Sequence, residues 1–133
     1  MLRTEDFFEA TVSLLDGKSA VQVLTEAYDL ISDRNRWSTL HYALNCRGER
    51  VHPGDPTAVR WSMMGAVARC CNRWAILPPY FYLLMNRLIE ARGIEDGASS
   101  YDQYCGHEGV LALLREAIVL VSTGMEITND ARK

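Results

Sequence analysis

The residue pair best suited to catalysis in this sequence is Asp102 and His107. A carboxylate that orients an imidazole is the usual arrangement of a general acid–base pair. No third group at a recognisable spacing completes a catalytic centre around them. Asp102 suits a turn equally well, and His107 suits the first turn of a helix. We therefore keep both as weak catalytic candidates and lean away from an enzyme.

A second candidate site is an anion pocket formed by Arg60, Trp61 and Trp37. A guanidinium group binds carboxylate or phosphate through paired hydrogen bonds, and indole rings can form the walls of a pocket. Helix capping and packing explain the sequence around Arg60 without any ligand. Both interpretations stay open. If a small anionic ligand or a nucleotide binds, these three residues are the predicted contacts.

A third candidate is a surface for a protein partner or for a second copy of the chain. Residues 34–74 contain seven arginines and only two acidic residues, although the whole chain has a net charge of −3. Tyrosine, tryptophan and arginine dominate the energetics of protein interfaces. The predicted interaction surface combines the basic segment with an aromatic cluster, and it consists of Arg47, Arg50, Trp74, Tyr80 and Tyr82.

The remaining sequence signals exclude several common classes of protein. The 4 cysteines and 3 histidines show no zinc-binding spacing. Phosphate-binding loops, dinucleotide fingerprints and G-x-S-x-G elbows are absent. We therefore expect no metal and no cofactor. Because the last predicted helix has Arg115 as its only cation, we do not expect nucleic acid as a partner.

The hydropathy pattern predicts a cytoplasmic protein without a membrane partner. The longest nearly apolar run, residues 74–85, contains two prolines, whereas a membrane-spanning helix needs about 20 apolar residues. The first residues are polar and acidic, unlike a signal peptide. In the cytoplasm the four cysteines would be reduced thiols.

Apolar residues recur at helical spacing in five segments. The predicted helices cover residues 4–15, 19–32, 55–70, 79–92 and 107–122, and a loop is predicted over 94–106. Asp55 is the predicted N-cap of the third helix, and Gly65 should allow a neighbouring element to approach closely. The pattern of residues 42–51 predicts a short hairpin around a turn at 46–48.

These elements predict a mainly α fold, a compact bundle of about five helices with a short two-stranded hairpin around residues 42–51. We expect one domain over residues 1–124 and a frayed tail over 125–133.

Two sequence blocks, residues 55–66 and 101–114, carry a resemblance to a known family. They resemble a family of small bacterial and phage proteins described only as a domain of unknown function. Its pattern includes Asp-Pro-x-Ala-Val-Arg-Trp-Cys-x-x-Gly-Ala, and Ser62 stands here at the cysteine position. Tyr101 stands where the family usually has asparagine. The resemblance implies a mainly helical single domain over roughly residues 20–121 and assigns no activity.

The sequence thus leads to three functions. The first is a non-enzymatic interaction or regulatory module that binds a protein partner or forms a homo-oligomer. The second is a binder of a small anionic ligand at Arg60. The third is an enzyme that uses Asp102 and His107.

Overall fold

The computed structural model describes residues 18–71, 77–94 and 98–123. The predicted first helix, Trp74 and the predicted tail lie outside these residues. Within them the elements are α1 (Ala20–Ile31), a 3-10 helix (Arg34–Arg36), β1 (Ala43–Asn45), β2 (Ala58–Trp61), α2 (Met63–Cys71), α3 (Pro79–Glu90) and α4 (Ala98–Ser122). The predicted class, a compact mainly α fold with a short antiparallel strand pair, is confirmed. No helix in the described ranges has the length and apolar character needed to cross a bilayer.

Helix α1 lies where the sequence predicts it. The Ser19 hydroxyl accepts a hydrogen bond from the backbone N–H of Gln22 at 3.1 Å, which satisfies one free donor of the first turn. The helix then buries one face against α2 and α4. That face consists of Ala20, Val23, Leu24, Ala27 and Ile31.

The predicted helix over residues 55–70 is wrong at its start. Residues 58–61 form strand β2, and α2 begins at Met63. The Asp55 carboxylate caps a turn instead, accepting hydrogen bonds from the backbone N–H and the hydroxyl of Thr57 at 2.8 and 2.7 Å. Aspartate before proline favours such a turn as well as a helix start. Ser62 takes the capping position, because its hydroxyl accepts from the N–H of Gly65 at 3.2 Å.

The predicted hairpin is present, and its first strand also pairs with a third segment, strand β2. The backbone N–H of Asn45 donates to the carbonyl of Glu49 at 2.9 Å, and that of Val51 donates to the carbonyl of Ala43 at 3.1 Å. Strand β1 therefore lies between residues 49–51 and β2, with which it pairs antiparallel. This second pairing explains why residues 58–61 leave the helical conformation.

The predicted loop over residues 94–106 is wrong for residues 98–105, which form the first part of α4. Gly106 interrupts this helix with a φ of 74°, and the predicted helix continues from His107. Tyr101 and Asp102 are both 2% exposed, so burial of these side chains holds the first part in place. The sequence did not predict this first part of α4, because the glycine and serine residues before Tyr101 favour a loop.

Gly65 sits at the closest approach between α2 and the hairpin. A Cβ atom at this position would overlap the backbone carbonyl of Tyr42. Only glycine lets the buried helix α2 lie directly under the chain that enters β1. The sequence prediction of a close approach at Gly65 is confirmed.

We expect Gly65→Ala to lower the free energy of unfolding by about 2 kcal/mol or more, because backbone atoms would have to move. Urea denaturation measures this loss. Gly93→Ala is the matched control, since Gly93 has a positive φ of 79° and open space around it. The control should cost about 1 kcal/mol from backbone strain alone. An equal or smaller loss for Gly65→Ala would contradict the packing described here.

Candidate functional site

Asp102 lies at a junction of three segments that are distant in sequence. Its Oδ2 accepts hydrogen bonds from the indole N–H of Trp37 at 2.7 Å and from the backbone N–H of Met63 at 2.8 Å. Met63 is the first residue of α2, so the carboxylate also lies at the positive end of that helix dipole. Burial nevertheless raises the pKa of Asp102 to about 6, because desolvation outweighs the two donors.

His107 is buried near the same tryptophan. Its Nε2 lies 2.6 Å from the carbonyl oxygen of Ile31, so this nitrogen carries the proton and donates it. The imidazole and indole rings of His107 and Trp37 are 5.2 Å apart. The structure thus gathers the predicted acid–base pair around Trp37 inside the core. The exposed fractions of Asp102 and His107 are 2% and 7%, and neither residue lines either of the two surface cavities described below.

The backbones of Trp37 and Trp61 form a bridge beside Arg60, but none of these three residues predicted for an anion pocket lines either of the two surface cavities. Trp61 is 5% exposed, and its indole N–H donates to the carbonyl of Pro53 at 3.0 Å. The indole N–H of Trp37 donates to the carboxylate of Asp102. Arg60 precedes Trp61 in β2, and successive side chains of a strand point to opposite faces. The guanidinium over the Trp61 ring belongs to Arg69, at 5.3 Å from the ring centroid.

The outer side of the sheet carries two arginines around one apolar residue. Leu44 of β1 pairs with Arg60 on one side and with Arg50 on the other. Directly opposed residues have Cβ atoms about 5 Å apart, so both arginines flank Leu44 on the same face. In the part of the chain that the structure describes, neither guanidinium has a hydrogen-bond or ion-pair partner.

A pair of tyrosines extends this side of the molecule onto α3. The hydroxyl groups of Tyr42 and Tyr82 are 2.7 Å apart. Burial and this hydrogen bond raise the pKa of Tyr82 to about 12. The two side chains are 44% and 37% exposed, and Leu40 beside them is 61% exposed. We call this surface the hairpin face, and it consists of Leu40, Tyr42, Leu44, Arg50, Arg60 and Tyr82.

A groove of about 420 Å³ opens on the hairpin face, where residues 40–43 and 50–53 diverge. His52 beside it accepts a hydrogen bond from the N–H of Gly54 at its Nδ1, over 3.2 Å, which leaves Nε2–H as a donor. The groove therefore offers donors as well as apolar surface. It is lined by Leu40, His41, Tyr42, Ala43, Arg50, Val51, His52 and Pro53.

A second cavity of about 430 Å³ lies elsewhere, beside α1 and the end of α2. Two of its charged residues, Lys18 and Glu26, form an ion pair. Lys18 Nζ bonds to Glu26 Oε1 at 2.7 Å and to the carbonyl of Cys70 at 3.0 Å. Burial raises the pKa of the Cys70 thiol to about 11, so this sulfur is a poor nucleophile.

The structure describes four of the five residues predicted for an interaction surface, and Trp74 lies outside the described residues. Arg47 and Arg50 are exposed, and Tyr82 lies on the hairpin face. The prediction that Tyr80 lies on the surface is wrong, because this residue is only 5% exposed. Its ring packs edge-on against that of Phe81, with 5.3 Å between the ring centroids. Tyr80 and Tyr82 are two positions apart on α3 and therefore point to different sides of the helix, and only the side of Tyr80 is buried.

The structure adds Leu40, Tyr42 and Leu44, which sequence reasoning missed as surface residues. Leu40 and Tyr42 lie in the bend that precedes β1, and Leu44 lies within β1 and is half-buried, so a strand periodicity does not mark them as one set.

We expect Asp102→Asn to remove a pH dependence of stability. The folded-state pKa of Asp102 lies above that of an unfolded aspartate, so the folded protein binds this proton more tightly. The stabilisation is complete below about pH 4 and is lost as the pH rises through about 6. Between pH 7 and pH 5 the native protein should gain about 1 kcal/mol relative to the variant, whose amide oxygen can still accept both bonds. Urea denaturation of both proteins at the two pH values measures the difference. Identical pH dependence in the two proteins would contradict a buried, raised-pKa carboxyl at this position.

The resemblance to a family of small bacterial and phage proteins stays a prediction. The chain matches no protein-family model, and comparisons with curated proteins and with solved structures give no match either.

Proposed function

We propose that this protein is a non-enzymatic interaction module that binds a protein partner through the hairpin face. One observation carries the proposal: exposed apolar side chains and arginines without partners lie together on one supported surface. Leu40 and Tyr42 supply the apolar part, while Arg50 and Arg60 supply the charge. Interfaces that bind tightly commonly combine tyrosine and arginine around an apolar centre.

The support beneath this surface favours binding. The inner side of β1 and β2 buries Ala43 and Trp61, and α2 lies against the backbone of Tyr42 at Gly65. The bond between Tyr42 and Tyr82 ties the surface to α3. A surface held in place before binding loses less conformational entropy when a partner docks.

Other features agree with a non-enzymatic cytoplasmic protein. The predicted acid–base residues Asp102 and His107 are buried and hydrogen-bonded. All four cysteines are unpaired, which suits a reducing compartment. A bacterial or phage origin rests on the resemblance alone, and in that setting the partner would be a host or defence protein.

Leu40→Asp should abolish partner binding, because it places a charge at the centre of the apolar contact. The test immobilises the native protein and its variants, exposes them to cell lysate and quantifies the captured proteins by mass spectrometry. We expect at least about a tenfold loss of the captured partner with Leu40→Asp.

Val119→Asp is the matched control, because Val119 on α4 is 59% exposed and Leu40 is 61% exposed. Both substitutions are on the surface and should change stability by no more than about 0.5 kcal/mol, which thermal denaturation checks. Capture that is equal for the two variants, or absent for the native protein, would overturn the proposal.

A further inference from the structure

The hairpin has an open edge at Arg50. The residue pairs 45/49 and 43/51 are joined by backbone hydrogen bonds, so Leu44 and Arg50 form the non-bonded pair between them. In an antiparallel ladder, the N–H and C=O groups of such a pair point away from the shared side. The backbone groups of Arg50 therefore point outward, and no described residue bonds to them.

The opposite edge of the small sheet is covered at its end. The N–H of Ser38 donates to the carbonyl of Trp61 at 2.9 Å, and Trp37 bridges to Trp61. The edge at Arg50 has no such neighbour among the described residues, so a further strand can be added there. Extended segments of other proteins commonly bind to such free edges through main-chain hydrogen bonds.

The charges along this edge favour an acidic segment. Arg47 and Arg50 are exposed and have no ion-pair partner among the described residues, and Arg60 lies on the same face. Glu49 also lies on this edge, where its carboxylate accepts a hydrogen bond from the side-chain amide of Asn45 at 2.8 Å, and the three arginines outnumber this one negative charge. A carboxylate beside Arg50 would form the paired hydrogen bonds that guanidinium groups favour.

The groove beside the edge favours an apolar residue in the same segment. Leu40, Tyr42, Val51 and Pro53 supply most of its apolar lining. Alternate side chains of an added strand point to the same face, so acidic and apolar residues can alternate along it.

We infer that the partner contributes an extended acidic segment that pairs with the edge at Arg50 as an added β-strand. A carboxylate of the segment lies beside Arg50, and an apolar side chain enters the groove between residues 40–43 and 50–53. This inference rests on the proposed function and specifies the chemistry of the partner.

The test titrates ¹⁵N-labelled protein with the peptide Glu-Val-Glu-Val-Glu, whose two termini are blocked so that they carry no charge. The backbone amides of the protein are followed by NMR. We expect saturable shifts confined to residues 40–53 and to β2 at peptide concentrations up to about 5 mM. Exchange of the Arg50 amide hydrogen should slow about fivefold or more at saturation, since a new hydrogen bond protects it. The blocked peptide Lys-Val-Lys-Val-Lys should produce no such shifts.

Arg50→Glu should weaken binding of the acidic peptide at least about tenfold. Arg36→Glu is the matched control, because it makes the same charge change on an exposed residue that lines the other cavity. This control should bind the peptide like the native protein.

Several results would overturn the inference. They are the absence of shifts at 5 mM peptide, equal binding of the lysine peptide, and shifts on another face. Concentration-dependent dimerisation that shifts residues 40–53 without peptide would also overturn it, since a second copy would then occupy the edge. If the peptide fails while partner capture still depends on Leu40, the proposed function stands and only the added strand is refuted.

Discussion

The structure depends on one buried carboxylate. Asp102 accepts hydrogen bonds from the indole of Trp37 and from the first backbone amide of α2, and so joins three segments that are far apart in sequence. Removing this charge from water is unfavourable, and this burial raises the pKa of Asp102 to about 6. The two hydrogen bonds offset only part of that cost. Loss of either donor would leave a buried charge with too few partners, which is strongly destabilising.

The position of the hairpin face follows from this junction. Trp37 bridges to Trp61 at the end of β2, and Met63, which donates to Asp102, opens α2 just beyond it. Once Trp61 points inward, the alternation of a strand turns Arg60 outward. Burial of Ala43 likewise turns Leu44 outward. The same interactions that fill the core therefore place the half-buried Arg60 and Leu44 on the outer side of the sheet, next to the exposed Arg50.

Sequence reasoning succeeds where the signal is local. Ser19 marks the start of α1 and Gly65 marks a close approach, because each residue acts on its own neighbourhood. It fails where a distant partner decides the conformation. Residues 58–61 have the composition of a helix start, and only pairing with β1 makes them a strand. The bond between Trp37 and Asp102 has no signal in the sequence, where Asp102 was only a weak catalytic candidate, and in the structure Asp102 is a buried link between distant segments. Of the residues predicted for an interaction surface, Arg47, Arg50 and Tyr82 are exposed, whereas the orientation of α3, which amino-acid content does not reveal, buries Tyr80.

The most direct measurement is hydrogen exchange and pH titration of the Trp37 indole N–H by NMR. Our account predicts that this proton exchanges slowly, like the core amides, because it is buried in a bond to Asp102. Its chemical shift should also move with a midpoint near pH 6, as the carboxyl ionises. Exchange as fast as that of an exposed indole, with a shift that does not change with pH, would contradict the central role of Asp102.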